Sequence, residues 1–211
     1  MASSPLALVP GSSFSREMRR QLAVLPLRSG LVLFSGHPQS SRLSHYFLAA
    51  PLLRGEAVLL LDAANCFDPY RIVGMARQWR RFPPDLLRSI RVSRAFTCFQ
   101  MAELIERTAG AACRYGARCV VLTGFPDIFD DEEISAAEAK SVFTRALSVL
   151  RRWAKLQLTA LAFSDGSPQP TPLRAWLTRQ LVREAAAVYR FEETATGLML
   201  RATQRSARVS C

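Results

Sequence analysis

The stretch Gly30-Leu-Val-Leu-Phe-Ser-Gly-His-Pro-Gln-Ser-Ser-Arg-Leu-Ser44 sets the reading of the fold. Its apolar residues Leu31 to Phe34 predict a buried strand, the small residues after them a loop, and Ser44 the start of a helix. In that order the three pieces form the layout in which backbone N–H groups and a helix N-terminus cradle an anion. The pattern for such a loop is Gly, any four residues, Gly-Lys, then Ser or Thr. Gly36 fills the first position, whereas Ser41, Arg42 and Leu43 stand where the Gly, Lys and hydroxyl residue belong. Arginine can hold a phosphate bidentately but is bulkier and placed differently from the loop lysine. Leu43 offers no oxygen to Mg²⁺. A strand, a turn and a helix also occur in any α/β domain, so the loop alone does not decide function.

On either side of this stretch the apolar pattern alternates between strands and helices. Ala57 to Leu61 is a continuous apolar run ending in Asp62, the form of a buried parallel strand. Asp68-Pro69 opens a helix with an N-cap and a proline at the first position, its stripe being Ile72, Val73, Ala76 and Trp79. Pro83-Pro84 breaks the chain before a short turn at Leu86-Leu87. Ile90 to Ser93 predicts a strand, Gln100 to Tyr115 a helix and Cys119 to Thr123 a strand. An acidic loop, Asp127 to Glu133, leads to Ser135 and Glu138, a capping box for a long helix whose apolar face runs from Val142 to Ala154. Leu158 to Phe163 is the next strand, and Asp165 to Pro172 is a loop by composition. Leu173 to Ala186 predicts a helix, after which Ala187 to Phe191 and Leu198 to Ala202 make a closing hairpin. The expected fold class is α/β, a doubly wound and mostly parallel sheet with flanking helices and a C-terminal β-hairpin. Residues 1–20 read as a loose arm that includes Phe14, 21–202 as the core domain and 203–211 as a basic tail; a short basic helix is expected over 16–24.

Composition narrows the function classes. The chain of 211 residues is 49% hydrophobic, enough for a single-domain core and far from the signature of disorder. No apolar run is long enough to span a membrane, and the first residues lack the pattern of a secretion signal. Five scattered cysteines without a C-x-x-C pair argue against disulfides and zinc, so the cytoplasm is the expected compartment. Two histidines, His37 and His45, give histidine catalysis little material. The net charge is +11, carried almost wholly by arginine, which favours phosphate or carboxylate partners; a GC-rich coding sequence would enrich arginine too. Arg71, Arg77, Arg80, Arg81, Arg88, Arg91 and Arg94 are crowded with only Asp85 among them, and Trp79, Phe82 and Phe96 are interleaved. That mixture suits backbone contacts plus stacking on single strands. A solvated helix face paired with acids elsewhere is the alternative.

Two stretches resemble the RecA-like recombinases, above all the archaeal and eukaryotic branch and its paralogs. Leu59-Leu-Leu-Asp-Ala-Ala-Asn-Cys-Phe-Asp-Pro-Tyr-Arg71 is similar to the family's second-strand segment, and Ser93-Arg-Ala-Phe-Thr-Cys-Phe-Gln100 to its Arg-Ala-Phe stretch. The order of elements over residues 20 to 195 agrees with that family. The resemblance implies a RecA-like fold with a degenerate nucleotide site made of Gly36, Ser41, Arg42 and Asp62. It puts Arg42 at the loop lysine, Ala64 at the water-activating glutamate, Thr123 at the Mg²⁺-organising aspartate, and Ser164 and Asp165 at the polar sensor. Phosphoryl transfer relies on the lysine, metal and carboxylate together, so the resemblance implies a pseudo-ATPase.

The expected function is non-catalytic: binding DNA, or a recombinase or polymerase partner, in repair or recombination. A protein adaptor without DNA contact, and an ATPase with unorthodox residues, are the alternatives. No cofactor is expected, ATP being the one candidate the loop leaves open. The seven arginines are the expected DNA contacts. Asp127, Asp130, Asp131, Glu132 and Glu133 are the expected protein-facing loop, a second copy of the chain being a further possible partner.

Overall fold

The computed structural model describes residues 29–205 apart from 168 and 196. The expected arm at 1–20 with Phe14, the helix at 16–24 and the last residues of the tail, Arg208 among them, lie outside the described residues. Chain order is β1 (Gly30–Ser35), α1 (Ser40–Leu43), a 3₁₀ turn (Ser44–Leu48), α2 (Ala49–Leu53), β2 (Val58–Asp62), α3 (Pro69–Gln78), α4 (Pro83–Arg88) and β3 (Ile90–Arg94). There follow α5 (Cys98–Tyr115), β4 (Cys119–Thr123), a 3₁₀ turn (Asp127–Phe129), α6 (Ala136–Trp153), β5 (Thr159–Phe163), α7 (Pro172–Glu184), β6 (Ala187–Thr194) and β7 (Gly197–Arg205).

The seven strands form one sheet in the order β3-β2-β4-β5-β1-β6-β7. Every pairing is parallel except β6 with β7, so the expected doubly wound, mostly parallel sheet of RecA-like type with a C-terminal hairpin is the observed one. Strand β1 lies between β5 and β6, with Phe34 level with Phe163 on one side and Tyr189 on the other. Its side chains alternate between two cores. Leu31 and Leu33 join Leu59, Leu61, Val120 and Leu122 beneath α5, α6 and α7. Val32 and Phe34 join Leu60, Val121 and Phe163 beneath α1 to α4. Phe34 stacks on Phe163 at 4.8 Å and on Tyr189 at 5.4 Å, and Phe47 tilts against it at 4.5 Å. Burial on both faces explains the unbroken apolar runs of the strands.

The local start signals act as their chemistry requires. The Asp68 carboxylate caps α3 by accepting from the Tyr70 N–H, and Ser135 caps α6 by accepting from Glu138 N–H. Three details differ from the sequence reading. The helix expected from Ser44 begins instead at Ser40 and passes through a 3₁₀ turn before α2, which tolerates Pro51 in its first turn, where an N–H has no intrahelical partner. Pro83-Pro84 is the first turn of α4 rather than a simple break, since proline's missing N–H costs nothing there. Strand β7 runs to Arg205, so residues expected in the tail belong to the sheet, and Arg201 pairs with Glu192 at 3.0 Å.

Candidate functional site

In a parallel sheet the loops after the strands converge at the C-terminal ends, where α/β proteins place their ligands. The loop after β1 starts at Gly36, whose φ of +98° favours glycine. The Arg190 side chain and the Phe191 carbonyl lie across it, and a Cβ there would stand 2.9 Å from the Phe191 oxygen. The His37 carbonyl then accepts from Ser40 N–H at 3.1 Å, Ser40 Oγ at 2.7 Å and Gly166 N–H at 3.1 Å.

Ser41 is bonded to two other strand-end loops of the chain. Its backbone N–H donates to Asp165 Oδ1 at 2.7 Å, and its Oγ accepts from Gly124 N–H at 3.0 Å. Both Ser40 and Ser41 are fully buried. The N–H that a loop of this layout would turn toward a phosphate is therefore bonded to a carboxylate of the chain itself. Arg42 is exposed on the outer side of α1.

Asp165 is held in turn. Its N–H donates to Asp127 Oδ2 at 2.7 Å, its carbonyl accepts from the Arg174 guanidinium, and Ser164 Oγ donates to Asp127 Oδ1 at 2.8 Å. Arg174 closes an ion pair with Asp127 at 2.7 Å. Burial pushes the Asp127 carboxyl up to about 6, against the pull of Arg174, Ser164 and the Asp165 N–H. Burial also raises Asp165, offset in part by the Ser41 N–H. One network thus ties the ends of β1, β4 and β5 to α7.

Asp62 forms a second knot. It is fully buried and accepts from Thr123 Oγ1 at 2.6 Å, Cys66 N–H at 3.0 Å and Phe67 N–H at 3.0 Å, with Arg94 at 3.9 Å. Three donors of the chain thus converge on this one carboxylate and tie the loop after β2 to the end of β4. Among the described residues no group of three or more His, Cys, Asp or Glu side chains is gathered as a metal would require.

His45 links the two helical pieces. Its Nε2 accepts from the Asp68 N–H at 2.9 Å and its Nδ1 lies 3.0 Å from the Arg42 carbonyl, so the neutral ring with its proton on Nδ1 satisfies both. Burial lowers its pKa from 6.5, the largest opposing influence being the Arg42 carbonyl. The unfolded chain binds this proton more readily, so stability is full above 6.5 and falls as pH drops through the folded value. Asp127 acts the other way, gaining stability as pH falls from about 6 toward 3.8. A His45→Gln variant isolates the histidine. Wild-type unfolding free energy should fall faster than the variant's below pH 6.5, by up to about 1.4 kcal/mol per pH unit, in urea titrations.

The seven arginines do not form one patch. Arg71 and Arg94 lie at the C-terminal ends of the strands, Arg71 beside Asp68 and Arg94 beside Asp62. Arg91 lies on the α5 side of β3, 4.8 Å over the Tyr115 ring. Arg77, Arg80, Arg81 and Arg88 gather at the opposite end, around the C-terminus of α3 and α4, with the Phe82 ring 65% exposed. The turn that places them is a Schellman motif: Arg81 N–H donates to the Ala76 carbonyl at 2.9 Å and Arg80 N–H to Arg77 at 3.1 Å. Arg80 occupies the position where glycine is preferred, at φ +53°, a strain of about 1 kcal/mol.

The acidic loop is also divided. Asp127, only 16% exposed at its side chain, points inward to Arg174. Asp130 accepts from Thr171 Oγ1 at 2.6 Å and Asp131 from Glu133 N–H at 3.0 Å, while the side chains of Glu132 and Glu133 are exposed. Sequence reasoning missed Arg174 and Gly124 as parts of this end. Gly124 follows a strand directly and was the available signal; Arg174 offered none, since its partner lies 47 positions earlier in the chain. No protein-family model matches the sequence.

Proposed function

We propose that this is a non-catalytic RecA-like protein of DNA repair or recombination, cytoplasmic, which binds DNA and does not turn over ATP. The observation that carries the reading is the grouping of Arg77, Arg80, Arg81 and Arg88 beside the exposed Phe82 ring, with Asp85 as the one acid among them. Arginine supplies phosphate contacts and the ring a stacking platform. Loss of turnover is supported by the Ser41 N–H being bonded to Asp165, and by Ala64 and Thr123 standing where water activation and metal binding need carboxylates. Among the described residues no helix is long and apolar enough to cross a membrane.

Titration of labelled single- and double-stranded DNA at several salt concentrations tests the reading. Binding should weaken linearly in log–log form, and changing Arg77, Arg80 and Arg81 to Ala should flatten the slope by about 2 to 3. ATP should alter neither affinity nor slope, and no hydrolysis should be measured. Absence of binding at low salt would defeat the DNA reading.

A second reading, an adaptor for a recombinase or polymerase, has its own support. Among the described residues strand β3 is an edge of the sheet, and a groove of about 480 Å³ between it and α5 is lined by Leu59, Leu61, Val92, Leu104 and Tyr115. An edge strand beside an apolar groove is a surface that extended segments of other proteins can pair with.

A further inference from the structure

All the parallel strands begin at the same end of the molecule, and the helices that precede them finish there. Basic side chains crowd this end before five of the parallel strands. Before β3 stand Arg80, Arg81 and Arg88; before β2 stands Arg54. Before β4 come Arg114 and Arg118, before β5 Arg151, Arg152 and Lys155, and before β6 Arg183. Every one of them is exposed. The acids at this end are Glu56, Asp85 and Glu184, each already paired with a neighbouring arginine: Arg54 at 2.6 Å, Arg88 at 3.6 Å and Arg151 at 2.6 Å. The other basic residues there have no carboxylate partner among the described residues.

Helix macrodipoles account for part of this. A cation in the last turn favours the negative end of a helix, and Arg77, Arg114, Arg152 and Arg183 sit in such turns. Arg80, Arg81, Arg118 and Lys155 lie beyond the last turns, in the connections. Arg80 is there in a backbone conformation that resists side chains. The excess thus exceeds what the helices themselves call for.

We infer that this end of the sheet, as a whole, is a nucleic-acid backbone-binding face, extending the arginine group of the proposed function to Arg118, Arg152 and Lys155. The inference rests on the DNA-binding reading and assigns it a location and extent. With neighbouring strands about 4.8 Å apart, the five steps from β3 to β6 make a strip of about 24 Å, and duplex DNA carries a charge every ~1.7 Å of its axis. A linear polyanion matches such a strip. A second copy of the chain matches it less well: of the acidic loop at the far end Asp127 is spent on Arg174 and only Glu132 and Glu133 are exposed, fewer charges than the strip presents.

The test compares two variants against the same DNA. Arg118→Ala, Arg152→Ala and Lys155→Ala together should flatten the salt slope by about 2 to 3, while Arg107→Ala, midway along α5 and already paired with Glu103, should leave it unchanged. All four side chains are exposed, so thermal unfolding should match the wild type and exclude a folding defect. If the triple variant keeps the wild-type slope while the Arg77, Arg80 and Arg81 variant loses it, the extended face is wrong and the DNA reading survives. If neither single- nor double-stranded DNA binds the wild type at low salt, the reading itself fails, and this inference with it. Low-salt self-association that the triple variant abolishes, without DNA binding, would assign the face to a second copy and overturn the proposal.

Discussion

Asp62→Ala should lower the stability of the protein by roughly 3 to 5 kcal/mol, seen as a lower urea midpoint with an unchanged slope. The carboxylate is fully buried at the end of β2 and is the acceptor for the Thr123 hydroxyl and the N–H groups of Cys66 and Phe67. Truncation leaves those donors without a partner and removes the counter-charge beside Arg94. A donor stranded away from water costs more than its hydrogen bond contributed, which is why the loss exceeds a simple count of bonds. Asp62→Asn keeps one acceptor oxygen and should lose about half as much. Thr123→Val removes one donor and its void is small, so about 1 kcal/mol is expected. Equal stability of Asp62→Ala and wild type would show that the loop after β2 is held by packing alone.

Gly124→Ala should cost on the order of 3 kcal/mol, a fall of roughly 6 to 12 °C in Tm by scanning calorimetry. Gly124 has φ +64°, and an added Cβ would stand 2.9 Å from the Ala64 nitrogen, with the Ala63 and Ala64 carbons at 3.2 and 3.3 Å. These are backbone atoms, so no side-chain rotation relieves the contact. The residue also donates its N–H to Ser41 Oγ, and any shift of the β4 end away from the β2 end disturbs that bond. Gly110→Ala is the control. It lies on the exposed face of α5 with nothing within 4 Å of an added Cβ, and should be stabilising by about 0.5 to 1 kcal/mol. A loss at Gly124 no larger than about 1 kcal/mol would mean that the two strand ends separate freely.

What could be read from the chain and what could not divide along one line. Signals whose cause and effect lie within a few residues were legible: Asp68 and Pro69 before α3, Ser135 before α6, and the apolar runs of β1, β2, β4 and β5. Strand alternation with helices gave the sheet type, because parallel pairing requires crossovers. The partners of the candidate site were not legible. Ser41 and Asp165 are 124 positions apart and meet only because β1 and β5 are neighbours in the sheet. Arginines adjacent in the chain were read as one surface, yet the chain crosses from one end of the sheet to the other along α3. Arg71 and Arg77 therefore stand toward opposite ends of α3, about 9 Å apart along its axis. The same crossing gathers Arg81, Arg118 and Arg152, which no reading by neighbourhood joins.

The strand order also bears on how the chain comes off the ribosome. Strands β3, β2 and β4 are contiguous in the sheet and are all complete once Thr123 has been made. Strand β1 precedes the other described strands in the chain, but its two neighbours, β5 and β6, begin only at Thr159 and Ala187. At ordinary synthesis rates the apolar Leu31–Phe34 segment waits roughly 6 to 25 s before its first neighbour emerges. Through that interval β1 lacks both of the strands it pairs with among the described residues, while β2, β3 and β4 can already form a contiguous sub-sheet. A strand order that set β1 beside β2 would remove most of that wait.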